Sequence, residues 1–410
     1  LNYDFSNAYT IERLEKIQGA GFATKLTPSD IGSLGSQVQF GHCVAVGNGK
    51  IAVGVPYADE GATTNRGAVY VYNTDGTGET KITTSQYSGV SIQFGETVTI
   101  GSNKILVGSG AKVAFLYDLD GTNEVVIDPQ VNAVTSHFSI DALSTKIYGD
   151  KIYIGDSNAS NDIRSQVGQV YIYNLSDASL IRILRASNTY DLDADEGTYG
   201  CSIDVNQNIL VVGAGGSASG TGRVYTYDLN GDREQIIEGS DSIPGDLFGS
   251  KVAIDSGRII VGTPYWHPDR NTLGISGGGG VYSYNFKGKD EIFFRQSNMS
   301  NPEELGDLFG FNSNLISGDG KIYVGARHYS DNKGTVYSYS PTGKDEYNFL
   351  PSDASNGDQF GYSLGYDDGC LVVGSRYDNN INGSVYIYKT NAPSGKVLNH
   401  SSSSSPGTIN

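Results

Sequence analysis

Phe40-Gly41, then Ile51-Ala52-Val53-Gly54-Val55-Pro56, then Gly67-Ala68-Val69-Tyr70-Val71-Tyr72: these three words decide the fold, because the chain repeats them. The apolar tetrad ending in glycine recurs as Ile105-Leu106-Val107-Gly108, Ile152-Tyr153-Ile154-Gly155, Leu210-Val211-Val212-Gly213, Ile259-Ile260-Val261-Gly262, Ile322-Tyr323-Val324-Gly325 and Leu371-Val372-Val373-Gly374. An aromatic precedes each tetrad, at Phe40, Phe94, Phe138, Tyr199, Phe248, Phe309 and Phe360. An alternating word of the Val-Tyr type follows, ending at Tyr72, Tyr117, Tyr173, Tyr227, Tyr284, Tyr339 and Tyr388. Seven copies at a period of roughly 50 residues signal a propeller or another repeat array.

Each word has the length of one strand. The tetrads are rich in β-branched residues and bounded by turn residues, which suits a strand buried on both faces. Short turns such as Gly47-Asn48-Gly49-Lys50 and Asp255-Ser256-Gly257 precede them and accept the positive φ of a tight hairpin. The aromatic therefore opens strand one and the tetrad is strand two. The Val-Tyr word is strand three, with tyrosines on one face and smaller residues on the other. After a turn such as Asp118-Leu119-Asp120-Gly121 comes a more polar fourth strand, as at 123–127 and 291–295. The pattern predicts an all-β chain, a seven-bladed β-propeller of four-stranded antiparallel blades. Only 10–17 has the pattern of a short helix.

These residues resemble the FG-GAP repeat, the blade unit of integrin-α-type propellers. Phe248-Gly249, Val261-Gly262-Thr263-Pro264 and Gly279-Gly280-Val281-Tyr282 fit it as closely as the first copy does. Two copies depart. Phe138 is followed by Ser139, and the second repeat lacks the glycine before strand three. The recurring Gly-Asp-x-Phe-Gly of Gly245, Gly306 and Gly357 is similar in style to FG-GAP-like proteins of marine tailed phages and some marine bacteria. Many family members carry a calcium loop between strands one and two. Here those turns are short and poor in carboxylates, so the usual calcium sites are expected to be missing.

The repeats make one ring. The expected division is an N-terminal arm at 1–22, a propeller at 23–400 and a flexible Ser-rich tail at 401–410. Ring closure has two candidates. Residues 23–30 resemble 348–353, the end of a fourth strand, which favours the N-terminal segment; residues 395–399 are the other candidate. The formal charge of −17 disfavours nucleic acid and anionic membrane as partners. No apolar run is long enough to span a bilayer. Leu1 in place of Met leaves a removed signal peptide open. Cys43, Cys201 and Cys370 read as small buried hydrophobes rather than a disulfide framework. His42 and His137 adjoin strand-one aromatics and read as structural, and no histidine pair has metal spacing. Asn-x-Ser triplets at Asn158, Asn174, Asn298, Asn382 and Asn399 decide nothing about glycosylation.

In an up-and-down blade, the connections from strand two to three and from strand four to the next blade share one face. These are the long ones here, as from Gly54 to Gly67 and from Gly262 to Gly279. Loop variation on a rigid scaffold marks that face as the working one. Its longest loop carries Tyr265, Trp266, His267, Asp269 and Arg270, which form the candidate binding site. Trp, Tyr and Arg are the residue types of binding hot spots, although a tryptophan also packs against a neighbouring blade. Asp191, Asp193 and Asp195 alternate at calcium-like spacing, and the two readings are a calcium site and a solvated acidic turn. No other cofactor is implied. Adjacent Arg327 and His328 read as loop-face decoration, since neighbours in an extended chain point to opposite sides.

The expected function is a non-enzymatic structural and recognition module. The leading form is a phage virion fibre, spike or appendage protein that binds a host surface glycan or protein, or other virion and surface proteins, through the long-loop face. A secreted or cell-surface bacterial adhesin is the second form, so the expected location is the virion or the extracellular surface. A homo-oligomer is compatible with either. A polysaccharide-acting enzyme is the third reading; it needs convergent acids on the loop face, and none stands in a diagnostic pattern.

Overall fold

A computed structural model describes residues 23–129, 143–160, 167–187, 198–267, 277–297, 309–310 and 314–390. They form seven four-stranded antiparallel sheets. In blade 1, strand one (Cys43–Gly47) pairs with strand two (Lys50–Val55), which pairs with strand three (Ala68–Asn73) and then strand four (Thr80–Ile82). Blades 2 to 7 follow at 94–127, 144–184, 202–237, 251–294, 315–349 and 360–389. The hairpin between strands one and two holds two consecutive residues of positive φ, Asn48 at 52° and Gly49 at 74°, the twist that matches antiparallel strands. Among the described residues, no helix is long and apolar enough to cross a membrane. In these residues helix is confined to single turns in the loops, such as Ser217–Gly220.

Period-two alternation builds the ring. Ile51, Val53, Tyr70 and Tyr72 pack against Val372, Val385 and Ile387 of blade 7, while Ala52, Val69 and Val71 face Ile105, Val107 and Phe115 of blade 2. One strand thus feeds two cores, and each junction between blades has such a core. This is why strands two and three read as nearly continuous apolar runs.

The Phe-Gly word works between blades. Gly67, just before strand three of blade 1, bridges in parallel to Phe94 of blade 2, and the same bridge joins Gly168 to Tyr199, Gly222 to Phe248, Gly279 to Phe309, Gly334 to Phe360 and Gly383 to Phe40. Gly67 has φ of 86°, and a Cβ there would lie 2.1 Å from the Phe94 carbonyl oxygen. Both the conformation and the approach require glycine. The aromatic consequently stands ahead of the ladder rather than inside it. Strand one of blade 1 starts at Cys43, because Gly41 at φ 89° kinks the chain after Phe40. In blades 2 and 7 the aromatic does begin the strand, across a register shift.

The two irregular repeats concern one junction. Position by position, the latch between blades 2 and 3 would join the glycine that the second repeat lacks to Phe138, which lies outside the described residues. Lys112, two residues before strand three (Ala114–Asp118), is buried there with φ of 60°, and its Nζ lies 2.8 Å from Asp156 Oδ1 of blade 3. A buried ion pair ties these blades.

A second device recurs at the ring's flank. Glu79, at the head of strand four, accepts the Tyr72 hydroxyl at 2.9 Å and the Ser29 hydroxyl and amide from the adjoining blade. Tyr227, Tyr284 and Tyr339 donate likewise to Glu234, Glu291 and Glu346, which also hold Ser187, Ser240 and Ser297 of the preceding blade. Tyr117 donates to Glu124. Burial, then the adjacent glutamate, pushes the Tyr72 and Tyr284 hydroxyls far above the ordinary tyrosine range.

The N-terminal segment closes the ring. Thr24–Leu26 pairs antiparallel with Ser384–Lys389, placing Thr24 opposite Ile387 and Leu26 opposite Val385. Leu26 enters the core between blades 7 and 1. Lys25 Nζ sits 2.7 Å from both Asp353 and Asp378 and 5.2 Å from the Tyr386 ring centre. The predicted helix at 10–17 and the tail at 401–410 lie outside the described residues.

Candidate functional site

Two places in the repeat supply the side chains that meet at the loop-face mouth of the ring. One follows the Phe-Gly word, where positive φ at Gly41, Gly95 and Gly361 redirects the chain before strand one enters its ladder. The other follows strand two, at the start of the long loop. Blades 1, 2 and 7 place His42, Glu96 and Tyr362 at the first; at the second, blades 6 and 7 place Arg327 and Arg376 one residue past the strand, and blades 1, 5 and 7 place Tyr57, Tyr265 and Tyr377 two residues past it.

These side chains meet. The His42 ring lies 5.7 Å from Tyr57 and 5.4 Å from Tyr362, and its Nε2 is 3.1 Å from Glu96 Oε1. Arg376 stacks its guanidinium 3.8 Å from the Tyr362 ring centre and 4.4 Å from that of Tyr377, while its Nε donates to Gln359 Oε1 at 3.1 Å. Arg327 approaches the same Tyr362 ring at 5.1 Å. His42 is buried; Tyr57, Glu96, Arg327, Tyr362, Arg376 and Tyr377 are half-buried, so each keeps a face toward solvent.

Burial dominates the electrostatics. It lowers the Arg327 pKa, and nearby Arg376 acts in the same direction against the tyrosines around it. Burial raises the Tyr57 and Tyr362 hydroxyls, with Glu96 adding to the effect. A guanidinium over a tyrosine face gains cation–π attraction, larger where water is excluded. The arrangement offers flat aromatic faces and cationic forks, the chemistry of recognition. Among the described residues, no group of three or more His, Cys, Asp or Glu is arranged to hold a metal ion.

Of the residues singled out in the sequence, Tyr265 belongs to this neighbourhood, close enough to act on the Arg327 charge. Trp266 is only 8% exposed and packs inward. Its ring lies 4.5 Å from Phe293, Arg295 stacks at 5.4 Å, and Nε1 donates to Asp241 Oδ2 at 3.3 Å. Asp241 comes from the connection entering blade 5 and also accepts the Tyr282 hydroxyl, so the indole is enclosed by its own blade. His267 is 1% exposed. Asp269, Arg270, Asp191, Asp193 and Asp195 lie outside the described residues. Cys43 and Cys370 are buried and Cys201 is half-buried; all three are free thiols, and burial raises the pKa of each.

The sequence reading took His42 as structural and passed over Glu96, Tyr362 and Arg376. A signal was present: after the recurring aromatic-Gly pair, the next residue varies in chemistry, as at His42, Glu96, Cys201, Ser250 and Tyr362. Variation on a fixed frame marks a position released from packing.

Comparison with known proteins agrees with this architecture. The FG-GAP repeat model matches residues 21–72 and 344–388, the segments that flank the closure of the ring. No curated protein matches. Among solved structures, a chain of the "Crystal Structure of Mitotic Checkpoint Complex" is similar in fold, with a TM-score of 0.55 and 12% identity over 89% of this chain and 90% of that one. Identity this low speaks to fold alone. The closed ring of seven sheets makes this chain a seven-bladed β-propeller, and the blades at its closure match the FG-GAP repeat.

Proposed function

We propose that this propeller is a non-enzymatic recognition module that receives a surface glycan or protein at the loop-face mouth. The observation that supports it most is the half-exposed cluster of Tyr57, Arg327, Tyr362, Arg376 and Tyr377. Five large side chains converge there, and Tyr and Arg dominate binding hot spots. A rigid ring costs little ordering entropy when it binds, which suits an attachment protein. The reading extends to a virion fibre, spike or appendage, with a bacterial surface adhesin as the other owner of the same physics.

The test is binding of the purified protein to arrayed glycans and to intact cells, with Tyr362→Ala as the control. Loss of binding in the variant with an unchanged melting temperature is the expected result. Equal binding by both proteins removes the mouth from the reading, and catalytic release of reducing sugar replaces it with an enzyme. Co-sedimentation with virions or with cell envelopes assigns the owner.

A further inference from the structure

The mouth also restricts the chemistry of what it receives. Resting on the reading above, we propose that it recognises an anionic glycan, with a carboxylate or sulfate group of one sugar unit held by Arg327 and Arg376 and the sugar ring lying on the tyrosine faces beside them.

The argument starts from charge. Arg327 and Arg376 approach one ring, that of Tyr362, at 5.1 and 3.8 Å. Two cations against one half-buried surface repel each other. Several other arginines pair with carboxylates: Arg66 with Glu60, Arg182 with Asp232, Arg223 with Glu238 and Arg258 with Asp290. Arg376 is treated differently. Among the described residues, its only hydrogen bond goes to the neutral Gln359, and its guanidinium lies over two tyrosine rings. The carboxylate of the cluster, Glu96, is committed to His42 at 3.1 Å. Burial lowers the Arg327 pKa and Arg376 adds to that, so an anion between them relieves a cost already present in the fold.

Geometry adds the second part. A guanidinium fork held flat by stacking is pre-organised for planar or tetrahedral oxyanions. Tyr57, Tyr362 and Tyr377 surround it with half-exposed amphipathic rings that combine an apolar face with a polar tip. That combination fits a sugar ring bearing a charged group better than an acidic peptide, whose carboxylates are carried on flexible apolar stems.

The experiment measures binding of four probes to the full chain: an oligoglucuronate, a sulfated oligosaccharide, the neutral counterpart of each, and a polyglutamate peptide. The variants are Arg376→Gln, Arg376→Lys and Tyr362→Ala, each checked by circular dichroism and melting. The expected result is binding of one or both anionic sugars, weakened about tenfold or more by Arg376→Gln, partly retained by Arg376→Lys, and weakened by salt. The two anionic probes then distinguish carboxylate from sulfate. Equal binding of the neutral counterparts, preference for the peptide, no binding of either anionic sugar, or indifference to Arg376→Gln each overturns the proposal. Neutral-glycan binding that survives Arg376→Gln but falls in Tyr362→Ala leaves the mouth as the binding site and removes only the anionic ligand.

Discussion

Ala23 occupies the position in the closing blade that Glu79 holds in blade 1. The registers fix the equivalence: Ile82 faces Val69 and Thr80 faces Val71, as Leu26 faces Val385 and Thr24 faces Ile387. Tyr388 is the counterpart of Tyr72. It is 3% exposed, and among the described residues its hydroxyl has no hydrogen-bond partner. The seventh residue on from Tyr388, where the chain would otherwise place the acceptor, is Gly395. The seam of the ring therefore lacks the glutamate clamp of its neighbours.

Ala23→Glu is expected to stabilise the protein by about 1 kcal/mol, because it supplies an acceptor to a buried donor. Tyr388→Phe, which deletes a hydroxyl with nothing to lose, is expected to be neutral or mildly stabilising. Tyr284→Phe removes a bond to a charged partner and is expected to cost about 1.5 kcal/mol or more. Urea denaturation of the three variants checks the order.

The buried pair Lys112 and Asp156 predicts an asymmetry. Lys112→Met alone leaves Asp156 buried and uncompensated and should cost about 3–5 kcal/mol. Adding Asp156→Leu should restore much of the loss, since a packed apolar pair replaces an ion pair at little net cost. A double-mutant cycle followed by chemical denaturation measures the coupling.

Glycines of similar φ should differ in tolerance. Gly49→Ala, at φ 74° with open space around it, is expected to cost about 1 kcal/mol from backbone strain. Gly334→Ala, at φ 80°, would place its Cβ 2.1 Å from the Phe360 carbonyl oxygen and should cost several times more. Comparison of their melting temperatures tests whether the interblade latch carries stability.

The seam has a defined pH window. Burial raises the Asp378 pKa, but hydrogen bonds from Lys25 and Tyr386 outweigh it and bring the group below its ordinary 3.8. A lowered carboxylate stabilises the fold above its unfolded pKa, and that contribution is lost as pH falls through the folded value. Lys25 lies above its ordinary 10.5 because Asp353 and Asp378 outweigh burial. Its contribution is complete below 10.5 and is lost as pH rises through the folded value. The closing strand is expected to hold across the interval between and to loosen first below pH 3.8. Hydrogen exchange at Lys25 and Leu26 monitors this, and Asp378→Asn should flatten the acid limb of the stability curve.

Much of this was written locally. The tetrads, the Val-Tyr words and the Asn-Gly hairpins each specify a strand or turn within a few residues, so their sevenfold recurrence predicted the blades and their number. The clamp was also legible, as Gly-x-x-Glu at Gly76, Gly121, Gly231, Gly288 and Gly343, though the glutamates read as ordinary polar residues. Trp266 shows the limit. As the single tryptophan in a long loop it attracted a binding role, and Asp241 and Phe293 draw it inward instead.

The sequence alone therefore determined strand order, blade count and the alternation that feeds two cores, because period-two patterning and turn chemistry act between near neighbours. Tertiary structure decided the mouth and the closure. Tyr362 meets His42 and Leu26 meets Val385 only after the ring has brought its first and last blades together. Contacts between residues hundreds of positions apart depend on accumulated blade-to-blade rotation, which no local pattern records.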